Sequence, residues 1–460
     1  MQLLAAATIT RFLQPSDYGL AALALLCLSM TTYFTQLGVG RAIIQKPGIT
    51  DGNIRAAFTL SVATGVAGFI ILAAISPILG HYFREPRLPP VIVVFGLNLI
   101  FQSLGAVSSS LLRREFRIRD QAICDFLGYA VSTFGIGLPM AMHGFGVWAL
   151  VAGNVTQPPI VAVAYFIARP HPIRPTLKHD DYARITGFSA KASFTTIIEA
   201  VGGSMDMIVM GRILSPLAIG LYNRSLTLSM QPVLNISTGL TRVFHPTVAR
   251  AAERSREECL NILIATERQL MSLIFPLCIG AAIAAPIIVP VVFGKQWTSA
   301  VPVYQALCIG GALDATFHLP TLQLEIFSLF RLKCIVQALF GICLGVAIIF
   351  IAPRGGIVAV AIAYAVLQAF RTFGLHIVSA RSLGVSALRL MRSWIPGLVC
   401  STILAVCLLA AERGLKTANL SPSFWTLGAL VLLSLTACVL VYRLFYRVSV
   451  YRQWLALFQR

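Results

Sequence analysis

The chain has 460 residues, of which 57% are hydrophobic and only 12% are charged. Soluble domains carry roughly 25% charged residues, so this composition excludes a water-soluble fold. The net charge of +19 does not indicate nucleic-acid binding, because the cations form short clusters between long apolar runs. The ten cysteines are isolated, and neither a metal site nor a cofactor is expected. The class that remains is an integral membrane protein.

Runs without charged residues predict the membrane spans in chain order. The first runs cover 18–40, 56–82, 88–112 and 126–168, and His143-Gly144 divides the last one into two crossings. Further spans are predicted at about 185–211, 217–240, 261–293, 299–325, 334–352, 355–380, 393–411 and 423–446. Residues 1–13 resemble the end of another helix. The sequence therefore predicts an all-α membrane protein of 13–14 helices, the first of them truncated.

Loop charges give the predicted orientation. When the sides alternate, one set of loops and ends holds 24 lysines and arginines and the other set holds 8. The positive-inside rule then predicts that both termini are cytoplasmic, with residues 447–460 as a cytoplasmic tail. No loop is long enough for a soluble domain, and no Walker, HExxH or GxSxG motif is present. An enzyme is therefore not expected.

An internal duplication is visible at an offset of 201 residues. Seven residues recur at that offset, and six crossings separate the two copies. The pairs are Arg11/Arg212, Leu13/Leu214, Pro15/Pro216, Gly19/Gly220, Leu20/Leu221, Gly38/Gly239 and Arg41/Arg242. The repeat predicts two six-helix lobes, 1–168 and 185–380, related by a pseudo-twofold axis along the membrane normal. Two additional helices at 393–446 follow.

Several motifs, in their order, resemble a known family. They are FREPRL at 83–88, LLRREFRIR at 111–119, GFGVWALVAG at 144–153, GLYNR at 220–224, and GKQW at 294–297 leading into AVPV at 300–303. Together they resemble the Wzx-type polysaccharide transporters, particularly the colanic-acid-exporter branch of the multidrug/oligosaccharidyl-lipid/polysaccharide exporter superfamily. The resemblance implies two six-helix lobes around a cavity. It also implies a flippase in the bacterial inner membrane that moves undecaprenyl-diphosphate-linked oligosaccharides toward the periplasm.

Ionisable residues inside predicted spans are candidate site residues, because charges in hydrocarbon are costly. Lys191, Glu199 and Asp206 fall on one stripe of a helix and could line a hydrated cavity that binds the substrate. A structural pair between the lysine and an acid is the alternative. Asp314 and His318 are one turn apart and form a candidate proton-coupling pair, although a purely structural pair is equally consistent with the sequence.

Arginines inside spans are candidates for binding a diphosphate, since a guanidinium matches phosphate geometry. Arg371 is the most deeply placed of these cations. Arg224 fits the family's GLYxR pattern, with a structural role at a helix end as the alternative.

Two other functions are alternatives to the flippase. One is a cation-coupled multidrug exporter of the same superfamily, which would favour a mid-membrane carboxylate in the first lobe, where none is found. The other is a membrane-embedded polysaccharide polymerase or ligase, which would require a large outer loop. The expected partners are the lipid-linked oligosaccharide, membrane lipids and the polysaccharide polymerase machinery.

Overall fold

The computed structural model describes residues 8–35, 39–45, 48–176, 182, 201–327 and 329–417. Every regular element in these residues is helical. Eight of the described helices are long and apolar enough to cross a membrane. The predicted all-α membrane fold is therefore confirmed.

The first half of the described chain contains helices α1 to α7, with one π-helix. They are α1 Pro15–Thr35, α2 Val39–Gln45, α3 Asp51–Tyr82, α4 Leu88–Arg114, α5 Ile118–Ala130, the π-helix Val131–Gly137, α6 Leu138–Met142 and α7 Val147–Ala168.

The second half contains helices α8 to α16 and two short 3₁₀ helices. They are α8 Met205–Ile213, α9 Pro216–Arg254, α10 Arg256–Ile283, α11 Ala285–Phe293, 3₁₀ Lys295–Ala300, α12 Val301–Ala315, α13 His318–Ile326, α14 Phe330–Leu383, α15 Ala387–Met391, 3₁₀ Arg392–Trp394 and α16 Ile395–Thr417. Gly356 has a non-helical backbone (φ 60°, ψ −159°), so α14 consists of two successive helices, in agreement with the two predicted spans.

The chain forms two compact units. The first contains residues 1–223 and 348–354, and the second contains residues 224–347 and 355–460. The predicted lobe boundaries, 1–168 and 185–380, remain a prediction.

Small residues bring the helices of the first unit together. A methyl group on Gly65 of α3 would lie 2.7 Å from the carbonyl oxygen of Leu99 and 2.7 Å from Ser103, both on α4. Between membrane helices, packing of this kind replaces the hydrophobic driving force of soluble cores. The start of α3 is fixed by a capping box, in which Thr50 accepts from the amide of Asn53 and Asn53 accepts from that of Thr50.

The two copies of the sequence repeat touch each other within the first unit. A methyl group on Gly19 would lie 1.7 Å from the carbonyl oxygen of Pro216. A methyl group on Gly220 would lie 1.7 Å from the carbonyl oxygen of Pro15. The contact is reciprocal between residues 201 positions apart, which is the pattern that two-fold-related helix starts produce.

Candidate functional site: a broken helix with a buried ion pair

An apolar span of the second unit is interrupted at its centre. The candidate span Lys295–Ile326 contains α12, which ends at Ala315, and α13, which begins at His318. Pro320 explains the break, because it has no N–H to bond the carbonyl of Thr316 and its ring crowds that carbonyl. The chain turns here through a bond from the amide of Phe317 to the carbonyl of Asp314, 3.0 Å long. Interrupted helices are where membrane transporters commonly place polar sites.

Asp314, at the end of α12, is held by two side chains of α14. Its Oδ1 accepts from Arg371 Nη2 at 2.6 Å and from Gln368 Nε2 at 2.6 Å. The side chain of Arg371 is only 6% exposed, whereas that of Asp314 is 17% exposed. The negative charge at the break is therefore compensated by a cation from a different helix, as burial in a membrane requires.

The guanidinium of Arg371 is also enclosed by aromatic rings. Its Cζ lies 4.0 Å from the ring centre of Phe317 and 4.3 Å from that of Phe340. Nη1 donates to Gln337 Oε1 at 3.0 Å. The two cation–π contacts and the two hydrogen bonds hold the cation in one orientation.

Three buried polar atoms of this cluster have no hydrogen-bond partner among the residues that the structure describes. They are Arg371 Nε, Gln368 Oε1 and His318 Nε2. His318 Nε2 lies 4.0 Å from Asp314 Oδ2, which is beyond hydrogen-bond distance. Since buried polar groups in native proteins are nearly always paired, these atoms indicate a place for water or for a polar ligand. We call Asp314, His318, Gln368 and Arg371 the broken-helix site.

A second ion pair joins α13 to α14. Lys333 Nζ lies 2.7 Å from Glu325 Oε1. At 100° per residue, Glu325 falls within about 40° of Asp314 and His318, so the three form one stripe of the predicted span 299–325. Each acid of the stripe is thus paired with a cation of α14.

The structure brings together three predicted site residues from two separate sequence arguments. Asp314 and His318 were predicted as a pair, and Arg371 was predicted independently as an intramembrane cation. Gln368, Phe317 and Phe340 were not predicted. Gln368 could have been predicted, because a glutamine in the middle of an apolar span indicates a buried polar contact. The two phenylalanines could not, because in sequence they are indistinguishable from ordinary core residues.

The other predicted site residues lie elsewhere. Asp206, in the first unit, is buried in the first turn of α8, where its carboxylate accepts from the amide of Met207 at 2.8 Å and from the hydroxyl of Tyr222 at 3.1 Å. Arg224 lies half-buried on α9. Lys191 and Glu199 fall outside the described residues, so the predicted stripe with Asp206 stays a prediction.

The solved structures that resemble the chain are helical membrane transporters. Lipid II flippase MurJ in an inward closed conformation superimposes with a TM-score of 0.74, at 12% identity, over 97% of this chain and 96% of that one. An inward-facing multidrug resistance MATE family transporter of the MOP superfamily gives a TM-score of 0.62, at 12% identity, over 83% of this chain and 94% of that one. At these identities the similarity establishes only the fold, which is that of an all-helical, multi-pass membrane protein.

Sequence comparison then identifies the family. Residues 8–302 match the model of the polysaccharide biosynthesis protein family, and the chain belongs to that family. It is 24% identical to the teichuronic acid biosynthesis protein TuaB of Bacillus subtilis over 61% of this chain and 59% of that protein. It is 22% identical to the lipopolysaccharide biosynthesis protein WzxC of Escherichia coli over 66% of this chain and 62% of that protein. The chain thus spans about three fifths of the length of these relatives.

Proposed function

We propose that this protein is a flippase that moves lipid-linked oligosaccharide units across the bacterial inner membrane for surface polysaccharide synthesis. The observation that carries the proposal is the family match over residues 8–302, in a family of polysaccharide biosynthesis proteins. The fold shared with the lipid II flippase MurJ agrees with it.

The broken-helix site supplies the polar surface that such a substrate needs. An undecaprenyl-diphosphate-linked oligosaccharide presents two phosphates and many hydroxyls to a membrane interior that offers few partners. Within the described part of the chain, Arg371 Nε is a donor without an acceptor and Gln368 Oε1 is an acceptor without a donor. A phosphate oxygen would satisfy the first and a sugar hydroxyl the second.

Movement of the substrate follows from alternating access of the two predicted lobes, with both termini in the cytoplasm. Asp206, Arg224, Lys191 and Glu199 are further candidates for contacts with the substrate. Asp314 and His318 remain the predicted proton-coupling pair, and the separation of 4.0 Å between them would close with a small side-chain rotation. Passage of the units to polysaccharide polymerase machinery is part of the same proposal.

A cation-coupled multidrug exporter is the alternative that shares this fold. It is supported by the similarity to MATE transporters, and a 25% identity to a probable multidrug resistance protein NorM of Agrobacterium fabrum covers only 34% of this chain. The longer matches are to proteins named for polysaccharide biosynthesis, which favours the flippase.

The test is rescue of surface polysaccharide in a bacterium that lacks its own flippase, with membrane abundance measured in parallel. Arg371→Gln should abolish rescue, while Glu325→Gln, which removes the more exposed ion pair between α13 and α14, should retain most of it. Full rescue by Arg371→Gln at normal abundance would remove the broken-helix site from the mechanism. Export of dyes instead of polysaccharide would favour the multidrug alternative.

A further inference from the structure

A histidine, a glutamate and a tryptophan meet inside the second unit, apart from the broken-helix site. His376 Nε2 lies 2.7 Å from Glu267 Oε1, and Trp394 Nε1 donates to the same oxygen at 2.9 Å. The three side chains come from α14, from α10 and from the 3₁₀ turn that precedes α16. All three are buried, and His376 is completely so.

The hydrogen-bond pattern fixes the number of protons in this cluster. His376 Nδ1 lies 2.8 Å from the carbonyl oxygen of Thr372, which can only accept, so Nδ1 carries a hydrogen. Nε2 and Glu267 Oε1 cannot face each other at 2.7 Å as two lone pairs, so one proton lies between them. The pair is therefore either imidazolium with carboxylate or imidazole with carboxylic acid, and it is neutral overall in both forms.

The surroundings of the pair are mostly apolar. Leu270 and Met271 of α10, Ala312 and Ala315 of α12, and Leu319 and Leu322 of α13 form one core cluster with Trp394. Besides Glu267, the ionisable groups on these elements are Arg256, Glu257, Glu258, Cys259, Arg268 and Cys278 of α10, Tyr304, Cys308 and Asp314 of α12, His318 and Glu325 of α13, and Arg392 beside Trp394. Arg268 and Arg392 are both exposed. On α14, Thr372 lies between Arg371 and His376: its carbonyl accepts from His376 Nδ1 at 2.8 Å, and its hydroxyl donates to the carbonyl of Leu313 at 3.0 Å.

We propose that Glu267 and His376 form a proton-binding site that holds one proton while α10 and α14 are packed together and exchanges it with water when they separate. The reason lies in the contact itself. Removing the proton from the packed pair would leave two acceptors opposed and an unpaired carboxylate in an apolar core. Proton exchange and separation of the two helices are consequently one event.

The predicted topology places this exchange on the cytoplasmic side. Arg256 begins α10 and Arg381 lies near the end of α14, and both belong to loops with the excess of positive charge. Glu267 and His376 lie within about three turns of these residues. Coupling of the proton to transport rests on the proposed flippase function, whereas the proton site itself does not.

Trp394 provides a direct readout of the site. Its ring centre lies 4.9 Å from that of His376 in an edge-to-face arrangement, and a protonated imidazole so close quenches indole emission. The emission of purified full-length protein in detergent would be recorded in a series of buffers between about pH 5 and pH 8. Subtracting the signal of Trp394→Phe isolates the emission of Trp394. Trp297→Phe is the matched control, because Trp297 is also fully buried but packs against Phe293.

We expect the Trp394 signal to change reversibly with pH, while the Trp297 signal stays constant. In Glu267→Gln, the Trp394 emission should no longer change with pH, or should change over a different pH range. The reason is that the amide keeps the shape of the side chain but cannot hold the proton. A Trp394 signal independent of pH, or an unchanged response in Glu267→Gln, would overturn the proton site and leave a fixed structural pair.

Coupling of the proton to transport would be tested in liposomes loaded with a lipid-linked oligosaccharide, with and without a pH difference imposed across the membrane. The pH difference should change the rate for the unmodified protein and not for Glu267→Gln. An equal response of both proteins would overturn the coupling. Absence of transport by the unmodified protein would count against the proposed flippase, and the fluorescence result would then decide on the proton site alone.

Discussion

Removal of the charge of Asp314 should destabilise the protein far more than removal of a neighbouring charge. Asp314→Asn keeps the bond from Gln368 and the shape of the side chain, but leaves the Arg371 cation without a counter-charge. Arg371 is 6% exposed, so this is the breaking of a buried ion pair, which typically costs about 3–5 kcal/mol. We expect the lower end, about 3 kcal/mol, because the asparagine oxygen can still accept from the guanidinium.

Glu325→Gln is the matched control at the neighbouring ion pair, which joins α13 to α14. The side chain of Glu325 is 34% exposed and that of its partner Lys333 is 18% exposed, so the loss should be about 1 kcal/mol or less. The double variant Asp314→Asn/Arg371→Gln should recover much of the stability lost by Asp314→Asn, because no unpaired charge remains.

The assay is denaturant unfolding of the purified protein in a mild detergent, with membrane abundance as a second measure. A loss of 3 kcal/mol lowers the folding equilibrium constant roughly 100-fold, well outside the error of such curves. Equal stability of Asp314→Asn and Glu325→Gln would refute the assignment of Arg371 as a buried, charge-dependent cation. A double variant no more stable than Asp314→Asn would show that the hydrogen bonds, and not the charge balance, hold the site together.

Three further predictions concern other parts of the chain. Gly19→Ala and Gly220→Ala should each lower the stability in detergent by about 1–3 kcal/mol, because a methyl group would meet a backbone carbonyl. Gly239→Ala should leave the stability unchanged, because no described atom lies within 4 Å of the added methyl group. Burial lowers the pKa of His171 below its ordinary value of 6.5, so the packed loop 169–176 is stabilised above that pH and loses stability as the pH falls. Limited proteolysis of this loop should accelerate on acidification, and His171→Gln should remove that dependence. Lys191→Ala should reduce polysaccharide export without lowering membrane abundance, and Lys191→Arg should retain more export than Lys191→Ala; normal export by the alanine variant would exclude Lys191 from the site.

The membrane fold could be predicted from sequence because its signals are local. A run such as 88–112 is apolar over the length of a bilayer and is bounded by arginines, and α4 occupies Leu88–Arg114. The double crossing at 334–380 was also predictable, since Pro353 and Gly356 interrupt it, and the backbone of Gly356 is non-helical as expected of such a residue.

The contacts of the site were not predictable in the same way. Asp314 and Arg371 are 57 positions apart, and sequence spacing gives no information on which faces of α12 and α14 meet. The burial of Asp206 shows the same limit, since its hydrogen-bond partner Tyr222 lies sixteen positions away on a different helix. Helical angles predict which residues share a stripe on one helix, but the partner of the stripe is set by tertiary packing.

The two acid–histidine pairs of the second unit show why a spacing of four residues was an incomplete guide. Asp314 and His318 would be adjacent on a continuous helix, yet Pro320 breaks the helix between them, and their closest polar atoms are 4.0 Å apart. Glu267 and His376 are 109 positions apart and in direct contact at 2.7 Å. A proline within four residues after such a pair therefore weakens the inference from spacing, because the angle of 100° per residue holds only while the helix continues. The same break separates Asp314 from His318, and it leaves His318 Nε2 without a hydrogen-bond partner among the described residues.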